Sequence, residues 1–109
     1  MAITTIQNNP TGIAQYAQGS SSGTYTAADF TLTLGFKPKH FKIINVTDRV
    51  TQEWFAGMNF GDFLETAANG DKTLETDNQI EVNDDGTVDV VAAGGAMTDN
   101  DTVVWEAFG

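Results

Sequence analysis

His40 is the single histidine in a chain of 109 residues, so any histidine-based acid–base chemistry must run through it. Ser20, Ser21 and Ser22 are the hydroxyls that could accompany it as nucleophiles, with an aspartate to orient the ring. Those serines lie in the run Gly-Ser-Ser-Ser-Gly at 19–23. Such a run is flexible chain, whereas an activated hydroxyl needs a rigid, sharply turned backbone. The expectation is no catalytic residue and no enzyme. Cysteine is absent, which excludes thiolate nucleophiles, thiolate metal sites and disulfide frameworks together.

Carboxylates are the other chemically capable groups. The stretch NDDGTVDVVAAG at 83–94 begins like a calcium loop, yet Ala92 stands six positions after Gly86, where a bidentate acid is needed. Asp99, Asn100 and Asp101 in TDNDT offer hard oxygens within one turn. Solvated hairpin tips account for both stretches, and neither a metal nor a cofactor is expected. Asn45-Val46-Thr47 matches a glycosylation acceptor. Without a secretory leader it reads as a chance match.

Charge is unevenly spread. The net charge is −10 and the pI about 4.1. No charged side chain precedes Asp29, and nine acids lie from Glu75 to Glu106. Four of the five cations, Lys37, Lys39, Lys42 and Arg49, fall within GFKPKHFKIINVTDR at 35–49, leaving Lys72 as the fifth. An acidic chain with one short basic cluster is a poor ligand for phosphate backbones, so no nucleic-acid partner is expected. The opening residues lack a basic leader and an apolar core, and no run approaches the length of a membrane span, so no membrane partner is expected either.

These residues must be positioned by strands. Helical periodicity is scarce, and β-branched and aromatic residues recur in short runs bounded by Gly, Asn and Asp. Phe30, Leu32 and Leu34 alternate with Thr31 and Thr33. HFKIINVT puts Phe41 and Ile43 on one face and Ile44 and Val46 on the other, which reads as a central strand covered on both sides. TQEWFAGM carries Trp54 and Phe55 on opposite faces, so one of them is free to anchor an interface. TVVWEAFG closes the chain with Val103, Trp105 and Ala107 against Val104, Glu106 and Phe108.

Register arithmetic fixes two hairpins. A three-residue loop Asp84-Asp85-Gly86 pairs Val82 with Val88 and Ile80 with Val90, whereas a two-residue turn would set Val82 against Asp89. The same parity makes Ala68-Asn69-Gly70 a loop and pairs Leu64 with Leu74, and each loop ends in glycine, as the left-handed closing position demands. The prediction is an all-β fold: an antiparallel β-sandwich or small barrel of about seven to eight strands with an extended N-terminal arm. The arm is polar and uncharged over 1–23, and a single β domain occupies 24–109. Either a neighbouring subunit or the domain's own sheet would hold the arm.

LGFKPKHFKIINVTDRVTQEWFAGM at 34–58 resembles a group of small virion structural proteins of tailed bacteriophages, including cyanobacterial phages. The matching features are a GFKP-type turn at Gly35–Pro38, an NxTDR-like strand end at Asn45–Arg49, and an EWF-x-GM-like strand at Glu53–Met58, and the general layout extends over 24–109. The resemblance implies a non-enzymatic head decoration or cement protein. It would be made in the host cytoplasm, sit on the virion head surface, bind the major capsid protein and assemble as a homotrimer. A tail or fibre component and a free ligand-binding β-sandwich are the alternatives. The candidate interface residues are Ile3, Ile6, Ile13 and Tyr16 in and beside the arm, Lys37, Lys39, Lys42 and Arg49 in the basic stretch, and Trp54 and Phe55. The basic stretch either orients assembly against acidic groups of another chain or neutralises Asp48, Glu53 and nearby acids within its own subunit.

Overall fold

The computed structural model describes residues 15–92 and 98–109. Ile3, Ile6 and Ile13 therefore lie outside the described residues. The described residues are all-β, with nine strands in chain order: β1 Tyr16–Ser21, β2 Phe30–Thr33, β3 His40–Asn45, β4 Val50–Phe55, β5 Phe63–Thr66, β6 Lys72–Glu75, β7 Ile80–Val82, β8 Thr87–Val90 and β9 Val103–Phe108. They form a six-stranded sheet, β1-β9-β3-β4-β5-β6, and a three-stranded sheet, β2-β8-β7, with every strand pairing antiparallel. β1 comes from residues that the sequence groups with the N-terminal arm. The domain's own sheet holds that segment, through pairing with β9 from Tyr16↔Phe108 to Ser21↔Val103.

The core forms where the two inner faces meet. Phe41, Ile43, Trp54, Phe63, Val103 and Ala107 come from the larger sheet, and Ile80, Val82, Val88 and Val90 from the smaller one. Alternation drives this: β3 reads half-buried, buried, half-buried along its length, and β7 and β8 likewise present every second residue inward. Phe30, Leu32 and Leu34 pack at the margin of the core. Both hairpin registers hold, Val82↔Val88 with Ile80↔Val90 and Leu64↔Leu74. Gly86 and Gly70 close the loops at φ 86° and 92°.

β3 is central, flanked by β9 and β4, but among the described residues only one of its faces is fully covered. Lys42 and Ile44 on the other face are half-buried, and Val46, just past the strand, is 48% exposed. The sequence expectation of cover on both sides thus fails for the outer face.

The motif residues at 34–58 shape turns. Gly35 takes φ 80° beside Leu34, whose N–H donates to Gly86 O at 2.9 Å. In the β3–β4 turn Asn45 Oδ1 accepts from Asp48 N at 2.9 Å, Thr47 Oγ1 accepts from Thr102 N at 2.9 Å, and Arg49 takes φ 61°. Gly57 takes φ 103° where the chain leaves β4. Each motif therefore carries a residue that redirects the backbone, which gives the pattern a structural cause.

Candidate functional site: the outer face of the larger sheet

Six strands in register arrange the outer face in rows. The first row runs Tyr16, Phe108, His40, Phe55 across β1, β9, β3 and β4. The second runs Gln18, Glu106, Lys42, Glu53, Leu64, Leu74 across all six strands. The third holds Ser20, Val104, Ile44, Thr51, Thr66 and Lys72. Each row joins directly opposite residues, the closest side-chain neighbours a sheet provides.

The first row is a continuous aromatic stack. His40 lies 4.4 Å from Phe55 at 11° between planes and 5.9 Å from Phe108 at 5°, and Tyr16 meets Phe108 at 4.9 Å and 52°. Tyr16, Phe55 and Phe108 remain 46%, 41% and 40% exposed. Because His40 spends both faces on its neighbours, the middle of the row offers ring edges to solvent. A sugar-stacking platform needs ring faces turned outward, so this row suits an apolar protein groove better than a glycan. The single Tyr16 hydroxyl proton lies within reach of two acceptors, Gln18 Oε1 at 3.1 Å and Glu106 Oε2 at 3.3 Å, which ties the first row to the second.

Lys42 is the one cation of the second row, set in register between Glu106 and Glu53. A shallow depression of about 450 Å³ beside it is lined by Gln18, Ser20, Lys42, Ile44, Val104 and Glu106, among others. Glu53 also approaches His40, with Nε2 3.6 Å from its Oε2. That distance exceeds a hydrogen bond. Ser20 stands in the third row, four residues along the strand from the His40 row, about 13 Å away at the usual rise per residue. The serines and the histidine are not brought together.

The other basic residues separate from Lys42. Lys37 Nζ meets Asp84 Oδ1 at 2.5 Å at the tip of the β7–β8 hairpin, which belongs to the smaller sheet. That bond, and the charge behind it, hold the Asp84 carboxyl below the usual carboxylate range. Lys37 thus has an intramolecular partner in Asp84. Lys39 and Arg49 are exposed at the two ends of β3. Trp54 is 5% exposed and belongs to the core, so of the two neighbouring aromatics Phe55 is the one available to a partner.

The oxygens of the TDND turn are committed within the chain. Asp99 Oδ1 accepts from Ala27 N and Asn100 Oδ1 from Tyr25 N, both at 2.8 Å. Asp101 Oδ2 accepts from Asn45 Nδ2 at 2.7 Å and from the Thr98 hydroxyl and amide. Among the described residues no group of three or more His, Cys, Asp or Glu side chains is placed to hold a metal.

Sequence reasoning missed the aromatic row because its members come from four separate strands. Phe108 and His40 carry an outward parity legible in TVVWEAFG and HFKIIN. Their adjacency needed the strand order, which parity does not give. No protein-family model matches the chain, and no curated protein or solved structure matches it either.

Proposed function

We propose that the chain is a non-enzymatic structural protein of a tailed-phage virion, a head decoration or cement protein that seats on the major capsid protein as a homo-oligomer. The observation that carries this reading is the open outer face of the larger sheet, with its edge-on aromatic row beside Lys42 and the half-buried Val104–Ile44 pair. A broad face of exposed aromatic edges beside alternating charges matches protein docking, where buried aromatic anchors carry most of the affinity and rim charges set orientation. The likeness of residues 34–58 to virion proteins supports the phage context.

Protein counts in purified particles test the proposal. Decoration of the head requires copies in the hundreds per particle by densitometry against the major capsid protein. Copies in the tens would move the protein to the tail or a fibre. Its absence from virions, with folded protein left in the lysate, would favour a free ligand-binding domain and overturn the assignment.

A further inference from the structure

β1 is the outermost strand of the larger sheet, and among the described residues nothing pairs with it beyond β9. Two backbone bonds fix which of its groups are free. Gly109 N donates to Gln15 O at 2.8 Å, and Val46 N donates to Thr102 O at 2.8 Å on the other side of β9. Alternate residues of an antiparallel strand bond to opposite neighbours. Ala17, Gly19 and Ser21 therefore bond to β9, and the N–H and C=O groups of Tyr16, Gln18 and Ser20 point to the open edge.

Open edges are usually blunted by charge, and the opposite edge of this sheet is: β6 carries Lys72 and Glu75, with Asp71 and Asp77 beside it. β1 has no such guard. It lies wholly within the stretch before Asp29 that has no charged side chain, so in a chain of net charge −10 this edge strand brings no charges of its own to repel a second copy.

We infer that β1 is a self-pairing edge, joining two copies of this chain antiparallel about a two-fold axis at Gln18. Centred there, Tyr16 of each copy faces Ser20 of the other and Ala17 faces Gly19 of the other. A large side chain meets a small one on the outer face, and two small ones meet on the inner face. Gly19 admits no larger residue, because a Cβ there would come within 2.6 Å of the Trp105 ring that covers it. The three outward-facing residues of each copy supply about six inter-strand hydrogen bonds at this register. Gln18 meets its own copy, and two amide side chains can donate and accept reciprocally. The pairing concerns the edge of the sheet, and the docking face proposed above can fail without touching it.

Charge-swap variants of the full chain test the register. Gln18→Lys puts two ammonium groups face to face across the axis, while within one subunit it sets Lys opposite Glu106 and leaves the fold supported. Gln18→Glu puts two carboxylates there. Light scattering after gel filtration should give a dimer mass for the parent, about half that mass for each variant alone, and the dimer mass again for their equimolar mixture. Circular dichroism establishes that the variants are folded, and Ser20→Pro, which removes an N–H that points to the open edge while sparing every bond to β9, provides an independent edge block. A parent that stays monomeric at every concentration overturns the inference. So does an oligomer, including the trimer implied by the sequence resemblance, whose mass is unchanged in all three variants, and so does a mixture that stays monomeric.

Discussion

Asn45 is buried with its amide between two carboxylates, donating at 2.7 Å to Asp101 and at 3.3 Å to Asp48. The two acids respond oppositely. The Thr98 hydroxyl, then the Asn45 amide, hold Asp101 below the usual carboxylate range, while partial desolvation and the neighbouring Asp101 charge push Asp48 above it. A lowered native pKa gives stability that is present at neutral pH and lost as pH falls through the native value; a raised one makes ionisation a cost to the fold at neutral pH that protonation relieves. Asp48→Asn should therefore stabilise the protein at about pH 7, with the gain vanishing near about pH 3, where Asp48 is protonated in the parent as well. Urea unfolding at both pH values checks this, and a gain that persists in acid would show that relief of charge is not its source. Asp101→Asn should destabilise at neutral pH, because an ionised acceptor of three hydrogen bonds is lost. None of this was legible in TDNDT read alone, since the partner Asn45 stands 56 residues away. The opposite facing of Trp54 and Phe55 was legible from adjacency, but which of them is inside depends on the second sheet.

Hairpins show what a strand pattern can reveal by itself. Parity excluded two-residue turns, because an even-numbered loop sets apolar residues against acids, and a glycine at the closing position of a three-residue loop supplies the left-handed residue that this loop class needs. The two glycines nonetheless differ. A Cβ on Gly70 meets nothing within 4 Å, whereas one on Gly86 comes to 3.0 Å from the Phe36 amide nitrogen. Gly70→Ala should cost about 1–2 kcal/mol, the strain of a left-handed residue, and Gly86→Ala more than that. Guanidinium unfolding of the two variants gives the comparison, and equal losses would mean that the Phe36 contact relaxes freely. β1 was not legible in this way. YAQGSS has no apolar alternation, and what holds it is the backbone ladder to β9 and the Trp105 ring over Gly19. A strand fixed by backbone and by another strand's side chain leaves little trace in its own residues.

The whole molecule divides its aromatics between a closed core and an open face, and substitutions should separate the two. Phe63→Ala empties a fully buried site and should cost about 3–5 kcal/mol, whereas Phe108→Ala on the outer row should cost about 1 kcal/mol or less while lowering particle occupancy. A Phe108→Ala protein that still saturates particles would remove the row from the proposed docking surface. Charge divides likewise. The basic stretch looks like one cluster in sequence, but alternation turns Lys42 to the outer face while Lys37 is held by Asp84 at the tip of the β7–β8 hairpin. Reversing Lys37 to Glu therefore breaks one exposed ion pair at a hairpin tip, a small loss in stability with no reason to alter docking. Reversing Lys42 to Glu instead removes the only cation between Glu106 and Glu53 and makes the middle of the open face continuously acidic. If that face meets acidic groups on another chain, Lys42→Glu should reduce binding to undecorated particles sharply at low salt and much less at about 1 M, where the screening length has shrunk to about 3 Å. Sedimentation of particles with each single variant across a salt series reads this directly. Equal binding by Lys42→Glu and the parent at low salt, with both folded, would show that Lys42 only balances Glu53 and Glu106 within its own sheet.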